Sequence, residues 1–290
     1  MNGDYESLAE PANPLGLDGI EFVEYSTPRP QALGQILETL GFRPIARHRS
    51  REVLLYRQGD MNVVINAEDR LADEDDDVAG ETGIAAVALR VRDAAAAYRR
   101  ALERGAWAVP TRVEVMELNI PAIHGPGASR IFFVDRYKEF SIYSVDFVPI
   151  PGVDQNPPAI KGLHWFGLVQ YIYRGRMEDW TEFYSELLGF DAIPDSERFG
   201  ILPKGRILRS PCKKIYVQLI EPEPSVPDLD GDERLARVGL GTSDVPATVN
   251  ALQSRGVEFL ESGQVHSNER GALTRSWLGG VMFELVHDDR

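Results

Sequence analysis

Glu284 is the residue of clearest chemical interest, because it lies inside an otherwise apolar segment, GGVMFELVHDD, at 279–289. The pattern predicts a buried strand. A carboxylate on a buried face is unfavourable by several kcal/mol unless it is paired, protonated or bound to a metal. Two histidines and one carboxylate form the facial site of non-haem Fe(II) oxygenases. A site of that kind would require two histidines near Glu284.

The chain of 290 residues is acidic, with a formal net charge of −14. This charge argues against nucleic acid and anionic membrane surfaces as partners. No apolar run approaches a membrane-spanning length, and the first residues lack the basic and apolar regions of a signal peptide. The single cysteine, Cys212, excludes an intrachain disulfide. We therefore expect a cytoplasmic protein that binds neither nucleic acid nor membranes.

The strands and helices that must position Glu284 occur in a repeated order. Segment 19–42 predicts a strand and then a helix that stops at a Leu-Gly-Phe sequence, and segment 165–190 repeats this pattern. Segments 88–109 and 239–260 also match, since each is a strand followed by a helix with Asp at its start and Gly at its end. The chain therefore contains an internal duplication.

The repeat predicts an α+β fold of four βαβββ modules that form two domains, each a curved sheet around a cavity. A Pro- and Gly-rich stretch indicates the linker between them. The expected division is a tail at 1–14, a domain at 15–150, a linker at 151–162 and a second domain at 163–290.

Several segments resemble 4-hydroxyphenylpyruvate dioxygenase, a family of the vicinal oxygen chelate (glyoxalase/bleomycin resistance/dioxygenase) superfamily. The first half is similar to the amino-terminal domain of that family, which binds no metal, and the second half is more weakly similar to its iron-binding domain. The matching segments are 13–30, 47–68, 116–123 and 141–154 in the first half, and 173–190, 210–221 and 279–286 in the second. The resemblance implies the two-domain fold and a cavity for an aromatic oxo-acid.

The resemblance also implies where iron ligands would lie. The family holds Fe(II) with a His on the first strand of the second domain, a His on the fifth and a Glu on the last. These positions correspond to Gly167, Arg237 and Glu284. An Arg places a permanent positive charge where the cation would sit. We therefore expect no metal at this position and no cofactor, with Fe(II) or another divalent metal as the alternative.

Two other histidines could form a rearranged metal site with Glu284. His164 lies three residues before Gly167, and an odd offset on a strand turns its side chain to the other face. His266 could lie on a strand beside that of Glu284. A structural role for His164 and a surface role for His266 are favoured over metal coordination.

The favoured interpretation is a 4-hydroxyphenylpyruvate dioxygenase-like protein that lacks the Fe(II) triad and binds a small anionic aromatic or oxo-acid ligand in the carboxy-terminal cavity. Arg in a concave apolar site suits such an anion. We expect Gln170, Gln218, Arg237 and His266 to bind the ligand, and Glu284 to form an ion pair with Arg237.

Two alternatives remain open. One is an Fe(II)-dependent dioxygenase with a rearranged site built from Glu284, His266 and His164. The other is a metal-independent enzyme, such as a lyase or isomerase, in which Glu284 acts as acid or base and Arg237 binds a substrate carboxylate. In each case the partner is a small molecule, and a homodimer or homotetramer is expected.

Overall fold

The computed structural model describes residues 13–67, 82–110, 118–138, 140–197, 199–201, 205–221, 233–262 and 265–290. Most of the predicted amino-terminal tail, residues 1–12, lies outside this range. Two mixed sheets organise the described residues, which gives the predicted α+β class.

The first sheet has eight strands in the order β6-β7-β5-β1-β4-β3-β2-β8. Its strands are β1 (Ile20–Ser26), β2 (Arg43–His48), β3 (Val53–Gln58), β4 (Met61–Asn66), β5 (Gly83–Arg90), β6 (Ala122–His124), β7 (Arg130–Val134) and β8 (Phe147–Pro149). Three helices accompany it: α1 (Pro30–Thr39), α2 (Ala94–Glu103) and the short α3 (Tyr143–Asp146).

The second sheet has seven strands in the order β10-β11-β12-β9-β13-β15-β14. Its strands are β9 (His164–Tyr171), β10 (Asp191–Ala192), β11 (Arg206–Arg209), β12 (Tyr216–Ile220), β13 (Arg234–Thr242), β14 (Gly271–Leu273) and β15 (Phe283–His287). Its helices are α4 (Met177–Glu182), which continues into a π-helical turn (Phe183–Leu187), and α5 (Val245–Gln253). Short 3-10 turns occur at Ile160–Gly162 and Asp195–Glu197.

The two sheets share one pairing scheme, which confirms the internal duplication. The central pair is antiparallel in both, β1 with β5 and β9 with β13. Parallel partners flank each central pair, β4 and β7 in the first sheet and β12 and β15 in the second. Both sheets are open rather than closed into barrels.

The second βαβββ module of each half is less regular than the sequence predicts. Its first strand after the helix is reduced to a single bridge, Ala108 with Ile123 in one half and Phe259 with Thr274 in the other. Only two backbone hydrogen bonds flank each bridge, so neither segment continues as a ladder. The first half has an additional strand, β8, which pairs with β2 at the far edge.

Corresponding helices of the two halves begin and end with the same residue types, as the sequence predicts. Asp93 accepts a hydrogen bond from the N–H of Ala96 at the start of α2, and Asp244 accepts one from Ala247 at the start of α5. Such caps satisfy backbone donors that have no partner within the helix. Gly105 and Gly256 follow the helices with φ of +92° and +94°, a conformation that suits glycine.

A shared apolar core joins the two halves on the helix-covered faces of the sheets. Ring contacts cross between the halves, with centroids 6.4 Å apart for Tyr25 and Phe283 and 6.4 Å apart for Phe42 and Trp165. The opposite, inner face of the first sheet has its own apolar cluster around Phe22. Candidate sites therefore lie on the inner faces, away from the shared core.

Among the described residues, no helix is long and apolar enough to cross a bilayer.

Gly167 is a position where the second sheet accepts no side chain. A Cβ there would overlap the carbonyl oxygen of Tyr216 on the neighbouring strand β12, whereas a Cβ at Gly239 would meet its nearest atoms at 3.5 Å. Gly167→Ala should therefore lower the free energy of unfolding by ~1–3 kcal/mol because the β9–β12 pairing must shift. The matched change Gly239→Ala should alter it by less than ~1 kcal/mol. Urea denaturation measures both, and equal effects would contradict this steric account.

Candidate functional site

The inner face of the second sheet places Glu284 beside two glycines. Gly239 of β13 pairs with Glu284 of β15 on one side and with Gly167 of β9 on the other. Tyr216 of β12 continues the same row. Paired residues of neighbouring strands point to the same face. Because Gly167 and Gly239 have no side chains, Glu284 has no side-chain partner within this row on either strand.

Glu284 is deeply buried, with 4% of its surface exposed. Its carboxyl accepts a hydrogen bond from the backbone N–H of Ile201. Gly200 lies against the carboxyl, since a Cβ at that position would come within 2.8 Å of Oε1. Burial raises the pKa of Glu284, while the positive charge of Arg237 and the Ile201 hydrogen bond act in the opposite direction. The balance favours a carboxyl that holds its proton more tightly than an exposed one.

Arg237 is equally buried, with 4% of its surface exposed, but its guanidinium is only partly satisfied. Its Nη1 donates to the hydroxyl of Tyr171 at 3.0 Å, and its Cζ lies 5.7 Å from the centroid of that ring. In the part of the chain that the structure describes, Nε and Nη2 have no hydrogen-bond partner. These two nitrogens form one side of the guanidinium, the side that accepts a carboxylate in a bidentate pair.

The prediction that Arg237 and Glu284 form an ion pair is wrong. No direct contact joins their charged atoms, and Arg237 is directed to Tyr171 instead. The register explains the difference, because Arg237 pairs with Val169 while Glu284 pairs with Gly239. The two side chains are therefore diagonal neighbours on one face, and the interaction between their charges acts at a distance.

The other predicted ligand-binding residues differ in whether they lie near Glu284. Gln218 borders the same cavity as Glu284. Gln170 does not, because its side chain is buried on the helix-covered face, where its Oε1 accepts a hydrogen bond from the Tyr184 hydroxyl at 2.9 Å. His266 is exposed and lies in a segment without regular structure.

The prediction that His164 faces the other side is wrong, because a register shift between Gly239 and Leu240 lets it pair with Gly241 on the face of Gly167. Its ring nevertheless makes its contacts away from Glu284. Its Nε2 is 2.9 Å from the Oδ2 of Asp288, and its Nδ1 is 3.0 Å from the carbonyl oxygen of Gly162. Among the described residues, no group of three His, Cys, Asp or Glu side chains could hold a metal ion. The alternative set of Glu284, His266 and His164 is therefore not assembled.

Aromatic side chains fill the space over the two glycines. The rings of Phe166 and Tyr216 stack with centroids 4.6 Å apart, and Phe199 meets both edge-on at 4.8 Å. The cavity that remains beside Glu284 measures about 20 Å³. That volume holds about one water molecule. No sequence pattern indicated Phe199, which borders the cavity from a connecting segment.

The first sheet carries a second polar site that the sequence analysis missed. Glu24 of β1 pairs with Ala86 of β5, and Ala86 pairs with Arg130 of β7. Arg130 Nη2 donates to Glu24 Oε1 at 3.0 Å, and Asn66 Nδ2 donates to the same oxygen at 2.9 Å. These residues border a pocket of about 270 Å³ on the inner face. The available signal was a glutamate within the apolar segment IEFVEYS, the criterion that selected Glu284.

The paired open sheets define a protein of the glyoxalase type with two such domains. Residues 162–275 match the family model of the Glyoxalase/Bleomycin resistance protein/Dioxygenase superfamily. Residues 12–148 match the model described as hydroxyphenylpyruvate dioxygenase, HPPD, N-terminal.

Two curated relatives support a narrower assignment, and one solved structure shares the fold. Hemolysin VllY of Vibrio vulnificus is 35% identical over 266 residues, covering 87% of this chain and 74% of the relative. A 4-hydroxyphenylpyruvate dioxygenase of Pseudomonas aeruginosa is 33% identical over 264 residues, with the same coverage of 87% and 74%. A mutant 4-hydroxymandelate synthase from Streptomyces coelicolor has the same fold, with a TM-score of 0.74 at 18% identity over 94% of this chain and 93% of the other. The chain belongs to the 4-hydroxyphenylpyruvate dioxygenase family.

The three residues that the sequence resemblance assigns to the iron positions supply one donor of the kind that binds Fe(II). Gly167 offers no ligand atom, and the Tyr216 carbonyl occupies the space that a side chain would need. Arg237 is a permanent cation, since guanidinium is not deprotonated in proteins. Glu284 alone supplies a suitable donor, and one carboxylate does not make the facial site.

The pH dependence of stability should report the buried carboxyl. Because the folded protein raises the pKa of Glu284 above its ordinary value of 4.5, the folded state binds the proton more tightly than the unfolded state. The wild type should therefore lose stability, relative to Glu284→Gln, as the pH rises from 4.5 through the folded pKa. The size of the difference measures the pKa shift directly, since each unit of pKa difference corresponds to ~1.4 kcal/mol.

Chemical denaturation at pH 5, 6, 7 and 8 measures this difference. Glu258→Gln is the matched control, because Glu258 has 69% of its side chain exposed. The account fails if wild type and Glu284→Gln show the same dependence on pH.

Proposed function

We propose that this protein is a ligand-binding member of its family that does not hold Fe(II) at the family position and binds a small anionic aromatic or oxo-acid in the carboxy-terminal half. The observation that carries the proposal is the buried guanidinium of Arg237, whose Nε and Nη2 have no hydrogen-bond partner among the described residues. No resident metal or cofactor is part of the proposal, and the partner is a small molecule. A homodimer or homotetramer remains the expected assembly.

The free side of Arg237 favours a carboxylate over a cation or a neutral ligand. Each buried N–H without a partner is unfavourable by ~1–3 kcal/mol. A carboxylate that accepts from Nε and Nη2 would remove both penalties and neutralise the charge. The chemistry at this position therefore suits an anion, whereas the family's histidine suits a metal.

The register indicates where the carboxylate would lie. Val169 pairs with Arg237 on one side and with Gln218 on the other. Both Val169 and Gln218 border the cavity that contains Glu284. A ligand held by Arg237 would thus extend over Val169 towards Gln218, with its apolar part near the Phe166 and Tyr216 rings.

Entry of an aromatic ligand requires more room than the cavity offers in this conformation. The volume of about 20 Å³ is much smaller than a benzene ring requires. Phe199 covers the cavity from a connecting segment and contacts Phe166 and Tyr216 only through ring edges. The proposal therefore includes an outward movement of Phe199 when the ligand binds.

The raised pKa of Glu284 favours one alternative, a metal-independent enzyme. Burial raises the pKa of Glu284 above its ordinary value, and a carboxyl that holds its proton more tightly than an exposed one is suited to general acid catalysis. In that alternative Arg237 would bind the substrate carboxylate and Glu284 would donate the proton. Conversion of a carboxylate ligand by the wild type, lost in Glu284→Gln with binding intact, would favour it over simple binding.

The Arg237→Met substitution tests the proposal through two opposite effects. Replacing a buried, partly satisfied charge with an apolar side chain of similar length should leave the melting temperature unchanged or raise it. The same change should weaken binding of 4-hydroxyphenylpyruvate at least ~10-fold, because a hydrogen bond to a charged group contributes ~1.5–3 kcal/mol. Isothermal titration calorimetry and thermal unfolding measure the two effects.

Arg234→Met is the matched control, because Arg234 lies on the same strand and is exposed. It should change neither affinity nor melting temperature. Equal affinity of the wild type and Arg237→Met would contradict the proposal. Robust oxygen uptake by the wild type with Fe(II) and 4-hydroxyphenylpyruvate would instead favour the dioxygenase alternative.

A further inference from the structure

A pocket away from Glu284 lies in the first half of the chain, the half without an inherited iron site in the family. It occupies the inner face of the first sheet and measures about 270 Å³. An apolar cavity of about 150 Å³ is enough to bind benzene. Its walls are mainly aromatic and aliphatic, and include Phe22, Val53, Val64, Phe132, Ile142 and Phe147. The pocket therefore has room for a single substituted ring.

The rings in the wall are arranged to receive another aromatic group. The rings of Phe22 and Phe132 are neighbours on the inner face of the sheet. Their centroids are 5.9 Å apart, with an interplanar angle of 45°. Phe147 meets the ring of Tyr143 edge-on at 5.8 Å. Tilted and edge-on contacts at these distances are the favoured geometries between aromatic rings.

One end of the pocket presents a buried hydrogen-bond acceptor. Glu24 has 7% of its surface exposed and borders the pocket. Its Oε1 accepts from both Arg130 and Asn66. Its Oε2 accepts no hydrogen bond from any residue that the structure describes. A ligand with a donor group would satisfy this oxygen.

The charges around the pocket favour a neutral donor. Arg130 already forms an ion pair with Glu24, with Nη2 and Oε1 3.0 Å apart. The second pair of opposite charges that borders the pocket is Arg51 and Asp146. The formal charges of these four residues sum to zero. A charged ligand that lost its hydration on entering the pocket would therefore meet no net opposite charge to stabilise it. A hydroxyl donates one hydrogen bond and carries no charge.

We propose that this pocket is a binding site for a small neutral phenol. Its ring packs against Phe22 and Phe132, and its hydroxyl donates to Glu24 Oε2. The site is independent of Arg237 and differs from the anion site of the other half in the charge of its ligand.

The test compares phenol with toluene, which has the same ring and a methyl group instead of the hydroxyl. Isothermal titration calorimetry on the full chain should show phenol binding at least ~10-fold more tightly, because a hydrogen bond to a carboxylate contributes ~1.5–3 kcal/mol. Val109→Trp adds bulk at a half-buried position that borders the pocket and should weaken phenol binding at least ~10-fold. Arg237→Met should leave phenol affinity unchanged.

Methyl resonances of Val64 and Ile142 should shift on phenol addition, while those of Val169 and Leu273 in the other half should not. Val109→Ala is the control for the change at the rim, and Ile120→Trp is a second blocking variant in case Val109→Trp does not fold. The proposal is overturned if phenol and toluene bind equally, if neither binds at millimolar concentration, or if the blocking variants keep wild-type affinity. Shifts confined to the carboxy-terminal half would also overturn it.

Discussion

Two ionisable side chains, Arg237 and Glu284, share the inner face of the second sheet without touching each other. Each has only 4% of its surface exposed, so neither charge is stabilised by bulk water. Glu284 can relieve its burial by holding a proton and by accepting the Ile201 N–H. Arg237 cannot lose its charge, and Tyr171 satisfies only one of its nitrogens. The side formed by Nε and Nη2, which has no partner among the described residues, is the basis for proposing an anion in this half of the molecule.

The first half stabilises its buried charges in a different way. There the row across the central strands contains Glu24, Ala86 and Arg130, and the acid and base form a direct ion pair at 3.0 Å. The charge pair that the sequence predicts for the second half is therefore found in the first. This pair is neutral overall, and a pocket of about 270 Å³ lies beside it. The two proposals therefore assign an anion to the inner face of the second half and a neutral ligand to that of the first.

Local patterns in the sequence predicted most of the fold. The repeated strand–helix order was sufficient to predict the main elements, together with Asp93 and Asp244 at the helix starts. Capping and periodicity act over a few residues and can therefore be recognised in the sequence. The site depends on longer-range features that the pattern does not contain. The bulge before Arg237 and its pairing with Val169 set its direction, and neither can be read from the sequence. The wrong prediction that Gln170 binds the ligand could have been avoided. Gln170 lies an odd number of residues from Gly167 and so faces the opposite side.

If Arg237 makes the inner face of the second half a site for an anion instead of a metal, the two kinds of ligand should affect the stability of the protein differently. A ligand that binds only the folded state raises its melting temperature. The most direct measurement is therefore the melting temperature of the metal-free protein with added Fe(II) under anaerobic conditions and, separately, with added 4-hydroxyphenylpyruvate. The account predicts a concentration-dependent rise with 4-hydroxyphenylpyruvate and none with Fe(II). A rise with Fe(II) that disappears in Glu284→Ala would contradict it.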